Sequence, residues 1–259
     1  MRRFLLAAPL FLILAACGSG GLSDPGLYIA LGDSLSEGVG ASDRSAAFVP
    51  LVHEGLGEGV DLMNLGHSGD TSSDLLDHGH VEQAVAEVGQ RNSDDDPNND
   101  VKLVTLEIGG NDFLRPFFLL ILTGTCPLLQ PALDRPACVD ALGETLDDFG
   151  RNLATALDRL QEADPDLTIV VMTLYNPFSE RLENIAELAE VALEGQPDGP
   201  LPEGLNDIVR GEAAERGLIL GDWHPLFEGK TSEYIARDFI HPNDVGYEVM
   251  AEAILEAVR

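Results

Sequence analysis

The sequence predicts an α/β protein built on a parallel sheet with helices on both faces. Three observations carry that expectation. Short apolar runs bounded by Gly, Asp, Asn or Pro recur along the chain, charged segments with apolar residues at three- and four-residue spacing lie between them, and the two patterns alternate. The 259 residues, 44% of them hydrophobic, suffice for one sizeable core.

In chain order the strand-like runs are Leu27–Leu31, Val60–Asn64, Val101–Ile108, Leu167–Leu174 and Gly217–Leu220. Each is a short apolar or β-branched stretch, read as a strand covered on both faces. Ala46–Leu56, Val81–Val88, Val139–Ala163, Ser179–Leu193, Glu203–Arg216 and Pro242–Val258 carry the spacing of amphipathic helices. Right-handed crossovers then put every strand C-terminus on one edge, where ligands bind in such sheets.

Residues 1–26 stand outside this pattern. Arg2 and Arg3 precede an apolar run from Phe4 to Ala16, short for a membrane span and shaped as the core of an export signal. Leu14-Ala15-Ala16-Cys17 resembles the lipobox of bacterial lipoproteins, in which cleavage before the cysteine frees a thiol for lipidation. The alternative is an ordinary secretory signal. The expected organisation is a signal peptide over 1–16, a lipidated Cys17 with a flexible tether over 17–26, and a folded domain over 27–259. Either reading places the mature protein outside the cytoplasm, and the lipidated form makes the membrane a partner.

In an oxidising compartment Cys126 and Cys138, closing a loop rich in proline and leucine, are read as a disulfide; two buried free thiols are the alternative. Neither has a histidine or second cysteine pair at metal-ligand spacing, which argues against a zinc site there. The polar stretch from Ser93 to Asp100 lacks the glycine and terminal glutamate of an EF-hand loop and reads as solvated. With 15 Lys+Arg against 45 Asp+Glu the formal charge is −30, which excludes nucleic acid as a partner and raises the expectation of a salt-adapted surface.

Four short blocks carry the chemistry. Gly32-Asp33-Ser34-Leu35 follows the first strand and offers Ser34 as a nucleophile, although a serine there also suits a helix N-cap. Asp238-Phe239-Ile240-His241 precedes the last helix and offers a base, His241, three residues after its orienting carboxylate, Asp238. Between them lie Gly69, after Asn64-Leu65-Gly66, and Asn111, in Gly109-Gly110-Asn111-Asp112. A backbone N–H at the first and a side-chain amide at the second suit an oxyanion, while ordinary turn roles compete. Ser68 in Gly66-His67-Ser68-Gly69-Asp70 is a rival nucleophile, but Asp70 stands where the Gly-x-Ser-x-Gly elbow needs glycine. His53, His67, His78, His80 and His224 have no evident partners in the sequence.

These four blocks, in this order over most of the chain, resemble those of the SGNH hydrolases, the GDSL esterase and lipase family. The resemblance implies a three-layer α/β/α sandwich with a flavodoxin-like, five-stranded parallel sheet. It implies Ser34 as nucleophile, His241 as base, Asp238 as its partner, and oxyanion donors from the Ser34 backbone, the Gly69 backbone and the Asn111 side chain. Asp33 and Asp112 are read as loop-shaping carboxylates, and no metal or organic cofactor is expected.

The expected reaction is hydrolysis of a small-molecule, lipid or glycan ester through an acyl-enzyme. A carbohydrate deacetylase or acyltransferase on the same triad, and a non-catalytic surface-binding lipoprotein, are the alternatives. Phe113, Phe117 and Phe118, just after the third block, are candidates for an acyl pocket, with core packing the competing role. Tyr175, at the end of the fourth strand, is a candidate for the leaving-group side, with an Asn176-Pro177 turn competing.

Overall fold

A computed structural model describes residues 25–126, 132–180 and 183–259. The expected signal peptide and Cys17 lie outside the described residues. Five strands form one parallel sheet: β1 (Gly26–Gly32), β2 (Val60–Asn64), β3 (Val101–Glu107), β4 (Ile169–Met172) and β5 (Ile219–Gly221), in the order β2-β1-β3-β4-β5. Around it stand α1 (Ser34–Glu37), α2 (Phe48–Leu56), α3 (Ser72–Asp77), α4 (His80–Arg91), α5 (Gly110–Leu122), α6 (Pro136–Ala163), α7 (Glu183–Glu194), α8 (Leu205–Arg216), α9 (His224–Phe227), α10 (Thr231–Tyr234) and α11 (Asp244–Ala257).

The strand order explains the layers. The chain moves outward from β1 to β2, then reverses past β1 to β3 and continues to β5, so right-handed crossovers put α2 on one face and α4, α6 and α8 on the other. Helix α11 returns to pack on α2, while α6 lies between α4 and α8. The reversal between β1 and β3 is the switch point of a flavodoxin-like sheet, where a crevice opens beyond the strand ends.

Strands β1 and β3 are the buried centre; Tyr28, Ile29, Ala30 and Leu31 are inaccessible to solvent. The expectation that all five strands are covered on both faces fails at the sheet edges. No residue of β2 is fully buried, and in β5 only Gly221 is, because an edge strand has a neighbour on one side alone. The fourth strand ends at Met172, earlier than expected, since the backbone N–H and carbonyl of Leu174 turn to the side chain of Asn206 (2.7 and 2.8 Å). Gly217 is the left-handed cap of α8 (φ 67°) and not part of β5. Strand β1 begins at Gly26, one residue inside the expected tether.

Helices α1, α3, α5, α9 and α10 were not expected. A reciprocal cap between Thr71 and Asp74 starts α3. Helix α5 is hidden in sequence because it is apolar on its exposed side too: Phe118, Leu119 and Leu122 are 53%, 58% and 83% exposed. Cys126 and Cys138 form the expected disulfide, with Cα atoms 5.0 Å apart, and tie the stretch after α5 to the first turn of α6.

Candidate active site

Beyond the C-terminal end of β1 the chain turns sharply into α1. Asp33 caps that helix, its Oδ1 accepting from Leu35 N (3.1 Å), so Ser34 is the first helical residue and not the cap. Its N–H is one of the donors a helix start leaves unpaired. Ser34 Oγ lies 2.9 Å from His241 Nε2, and His241 Nδ1 lies 2.7 Å from Asp238 Oδ2. With Nδ1 donating to the carboxylate, Nε2 is left to accept the serine proton.

The segment bearing His241 is held from several sides. Asp238 Oδ1 accepts from Ile240 N and His241 N, both at 3.0 Å, so one carboxylate folds the loop and orients the ring. Burial pushes the Asp238 carboxyl up, but these amides and the imidazole outweigh it and leave it below its ordinary value. Phe239 sits in the left-handed region (φ 67°), a conformation that bulky residues adopt only when their surroundings impose it. Tyr175 Oη donates to Ile240 O (2.8 Å), and its ring stacks on Phe227 at 4.2 Å. A Cβ on Gly40 (φ 96°) would fall 2.5 Å from Pro242 O and 2.7 Å from His241 Cβ; the absence of a side chain there lets the loop after α1 pass behind the histidine.

The oxyanion candidates converge on the same mouth. Gly69 (φ 92°) lies in the loop after β2, its carbonyl taken by Arg115 and its N–H without an acceptor among the described residues. Asn111 opens α5, but its amide is engaged: Nδ2 donates to Asp33 Oδ2 and to Asp70 O, both at 2.9 Å. To serve an oxyanion, Asn111 must redirect the N–H that it gives to Asp33. Asp112 shapes the loop as expected, accepting from Ser72 N (2.9 Å) and Ser72 Oγ (2.5 Å).

Asp33 does more than shape a loop. The register that pairs Gly32 with Glu107 sets two buried carboxyl groups side by side beneath Ser34. Burial pushes Asp33 up to about 6, against the pull of Leu35 N, Glu107 and Ser34. Burial and the Asp33 charge together push Glu107 well above its ordinary value. Two carboxylates so placed resist ionising together, so the pair holds a shared proton to higher pH than either carboxyl would alone. No sequence signal marks Glu107, because its partner is set by strand register.

The triad opens onto a cavity of about 240 Å³ whose far walls are apolar: Phe113, Phe117, Leu174, Phe178 and Leu193, with Tyr175 on one side. Three of the four expected pocket residues, Phe113, Phe117 and Tyr175, line it. Phe118 does not; it points to solvent from the opposite side of α5. Ser68 stands at the rim with its N–H on Glu37 Oε2 (2.9 Å), and the imidazole of the triad is on Ser34 instead.

Histidines that looked isolated in sequence acquire partners. His53 Nε2 meets Val60 O at 2.7 Å. His224 lies 3.1 Å from Glu190 and 3.5 Å from Glu194; burial works against its charged form, yet these carboxylates raise it above its ordinary value. His67, His78 and His80 surround the buried Asp70 carboxylate, with ring centroids 5.9–6.2 Å apart. The pair His78 and His80, with His67 three residues before Asp70, was the available signal.

Residues 30–249 match the family described as GDSL-like Lipase/Acylhydrolase. The chain belongs to that family. Its GDSL block supplies the β1–α1 turn and its last block the His241 loop. A curated relative, the spore germination lipase LipC of Bacillus licheniformis, is 24% identical over 234 residues, covering 89% of this chain and 95% of LipC. Among solved structures, the lipase Lip_vut3 from a goat rumen metagenome superposes with a TM-score of 0.66 at 23% identity, covering 90% of this chain and 97% of Lip_vut3. The acetylxylan esterase Axe2 of Geobacillus stearothermophilus superposes with a TM-score of 0.58 at 18% identity, covering 90% and 94%. Both share the GDSL fold, an α/β/α sandwich, and the family acts on esters.

Proposed function

We propose that this protein hydrolyses carboxylic esters with an apolar acyl chain through an acyl-enzyme on Ser34. The observation that carries the reading is the run Ser34–His241–Asp238 opening onto the apolar cavity. Ser34 Oγ attacks the acyl carbonyl carbon as its proton passes to His241 Nε2, and Asp238 steadies the resulting imidazolium. The oxyanion is met by the N–H groups of Ser34 and Gly69 and by an N–H that Asn111 withdraws from Asp33. Collapse breaks the ester bond, and His241 returns the proton to the departing alkoxide. Water then enters, His241 takes its proton, and the acid leaves with Ser34 restored.

A series of p-nitrophenyl esters tests the substrate class. Each methylene moved from water into the cavity contributes about 0.8 kcal/mol, so kcat/KM is expected to rise about fourfold per methylene from acetyl until the pocket is full. A maximum at acetyl would overturn the apolar-acyl reading and favour deacetylation, the activity named for Axe2.

Export and anchoring through Cys17 complete the proposal. The lipobox-like Leu14-Ala15-Ala16-Cys17 supports it, as does the solvent-facing apolar side of α5 next to the cavity. Partition of the mature protein into a detergent phase, abolished by Cys17→Ser, is the expected result; equal partition of both forms would contradict it.

A further inference from the structure

We propose that His67, Asp70 and His78 bind one zinc ion, in a site separate from the triad that fixes the Gly69 loop. Asp70 is 2% exposed, and its carboxylate faces imidazoles: His67 Nδ1 at 2.7 Å from Oδ1, His78 Nδ1 at 3.1 Å and His80 Nε2 at 3.4 Å from Oδ2. Hydrogen bonding alone does not account for the cluster. Two imidazoles can each donate a proton to the carboxylate, but His80 Nε2 is buried with no hydrogen-bond partner among the described residues.

The donor set is two neutral nitrogens and one carboxylate oxygen, which suits zinc in a tetrahedral site whose fourth position faces solvent. Ligand atoms on a zinc ion with bonds of about 2.0–2.1 Å lie about 3.3 Å apart. The donor atoms of His67, Asp70 and His78 already lie within 4.8 Å of one another. The His67 and His78 side chains are 61% and 48% exposed, so their rings have room to close that gap, and the ion has a path in from solvent. His80 opens α4 beside this group, its Nε2 3.4 Å from Asp70 Oδ2.

The site abuts the active site through the backbone. Asp70 O accepts from Asn111 Nδ2, and Gly69 is the preceding residue. A metal holding the Asp70 side chain therefore restrains the loop that presents the Gly69 N–H, without touching Ser34 or His241.

The test is competition for zinc between the mature protein and a chromophoric chelator in molar sodium chloride, which suppresses loose binding to the strongly acidic surface. One equivalent bound at sub-micromolar Kd is expected, with at least a tenfold loss in His67→Ala and in His78→Ala and none in His53→Ala. Uptake in the His67→Ala/His78→Ala double variant equal to wild type would overturn the proposal, as would no uptake by wild type. Should the variants fold poorly, cobalt(II) substitution of the wild-type protein decides: an intense tetrahedral spectrum supports the site, and a weak octahedral one contradicts it. Amide exchange over residues 66–71 should slow on zinc binding, and unchanged exchange would refute the loop-fixing role. These readouts need no ester turnover, so they stand or fall apart from the proposed function.

Discussion

At Asp33 a single buried carboxylate meets Leu35 N, Ser34 Oγ (3.3 Å), Asn111 Nδ2 and the carboxyl of Glu107. That arrangement costs stability at neutral pH. An unfolded chain ionises Glu107 near its ordinary 4.5, whereas the fold holds the proton to much higher pH. Stability from this group is therefore full in acid and is lost as pH climbs above 4.5, because the unfolded form alone gains by releasing the proton. Glu107→Gln keeps the shape without the ionisation. It should unfold in urea with about 1–3 kcal/mol more stability than the parent at pH 7, the scale of an ill-paired buried polar group, and with no advantage near pH 4. An equal difference at both pH values would contradict a shared proton. The blocks around Ser34, Asn111 and His241 were legible because each is local in sequence. Glu107 and the engagement of Asn111 were not, because the register of β1 on β3 creates both.

Elements were legible where burial and period agree. Strands β1 and β3 are apolar runs and lie at the sheet centre, so composition and environment coincide. Strands β2 and β5 read as buried yet form the edges, since position in a sheet depends on partners and not on the run itself. Helix α5 shows the opposite failure: its apolar outer side, Phe118, Leu119 and Leu122, erases the periodicity that announces a helix. That helix forms a cavity wall and is anchored at its far end by Cys126–Cys138. Closing a 12-residue separation removes chain entropy worth about 3 kcal/mol from the unfolded state. Cys126→Ser/Cys138→Ser should lose about that much in denaturant unfolding; a loss below about 0.5 kcal/mol would show that α5 is held by its packing alone.

For the molecule as a whole, charge is the dominant surface property. Only 15 basic residues face 45 acidic ones, so ion pairs such as Arg210 with Glu194 and Asp222 leave most carboxylates uncompensated. Repulsion among them is screened over about 10 Å at 0.1 M salt and about 3 Å at 1 M. Melting temperature should therefore rise between dilute buffer and molar sodium chloride, by about 2–4 °C for each 1 kcal/mol of repulsion relieved; no rise would refute the salt-adapted reading. The same fold gathers residues 34, 69, 111, 238 and 241 from across the chain at one sheet edge, a gathering that by the proposed mechanism makes Ser34 a nucleophile. Active-site labelling with a fluorophosphonate, located by peptide mass, tests it most directly. One adduct is expected, on Ser34 and absent from Ser34→Ala, whose ester turnover falls by about 10⁴-fold or more. An adduct on Ser68, or labelling and turnover that persist in Ser34→Ala, would contradict it.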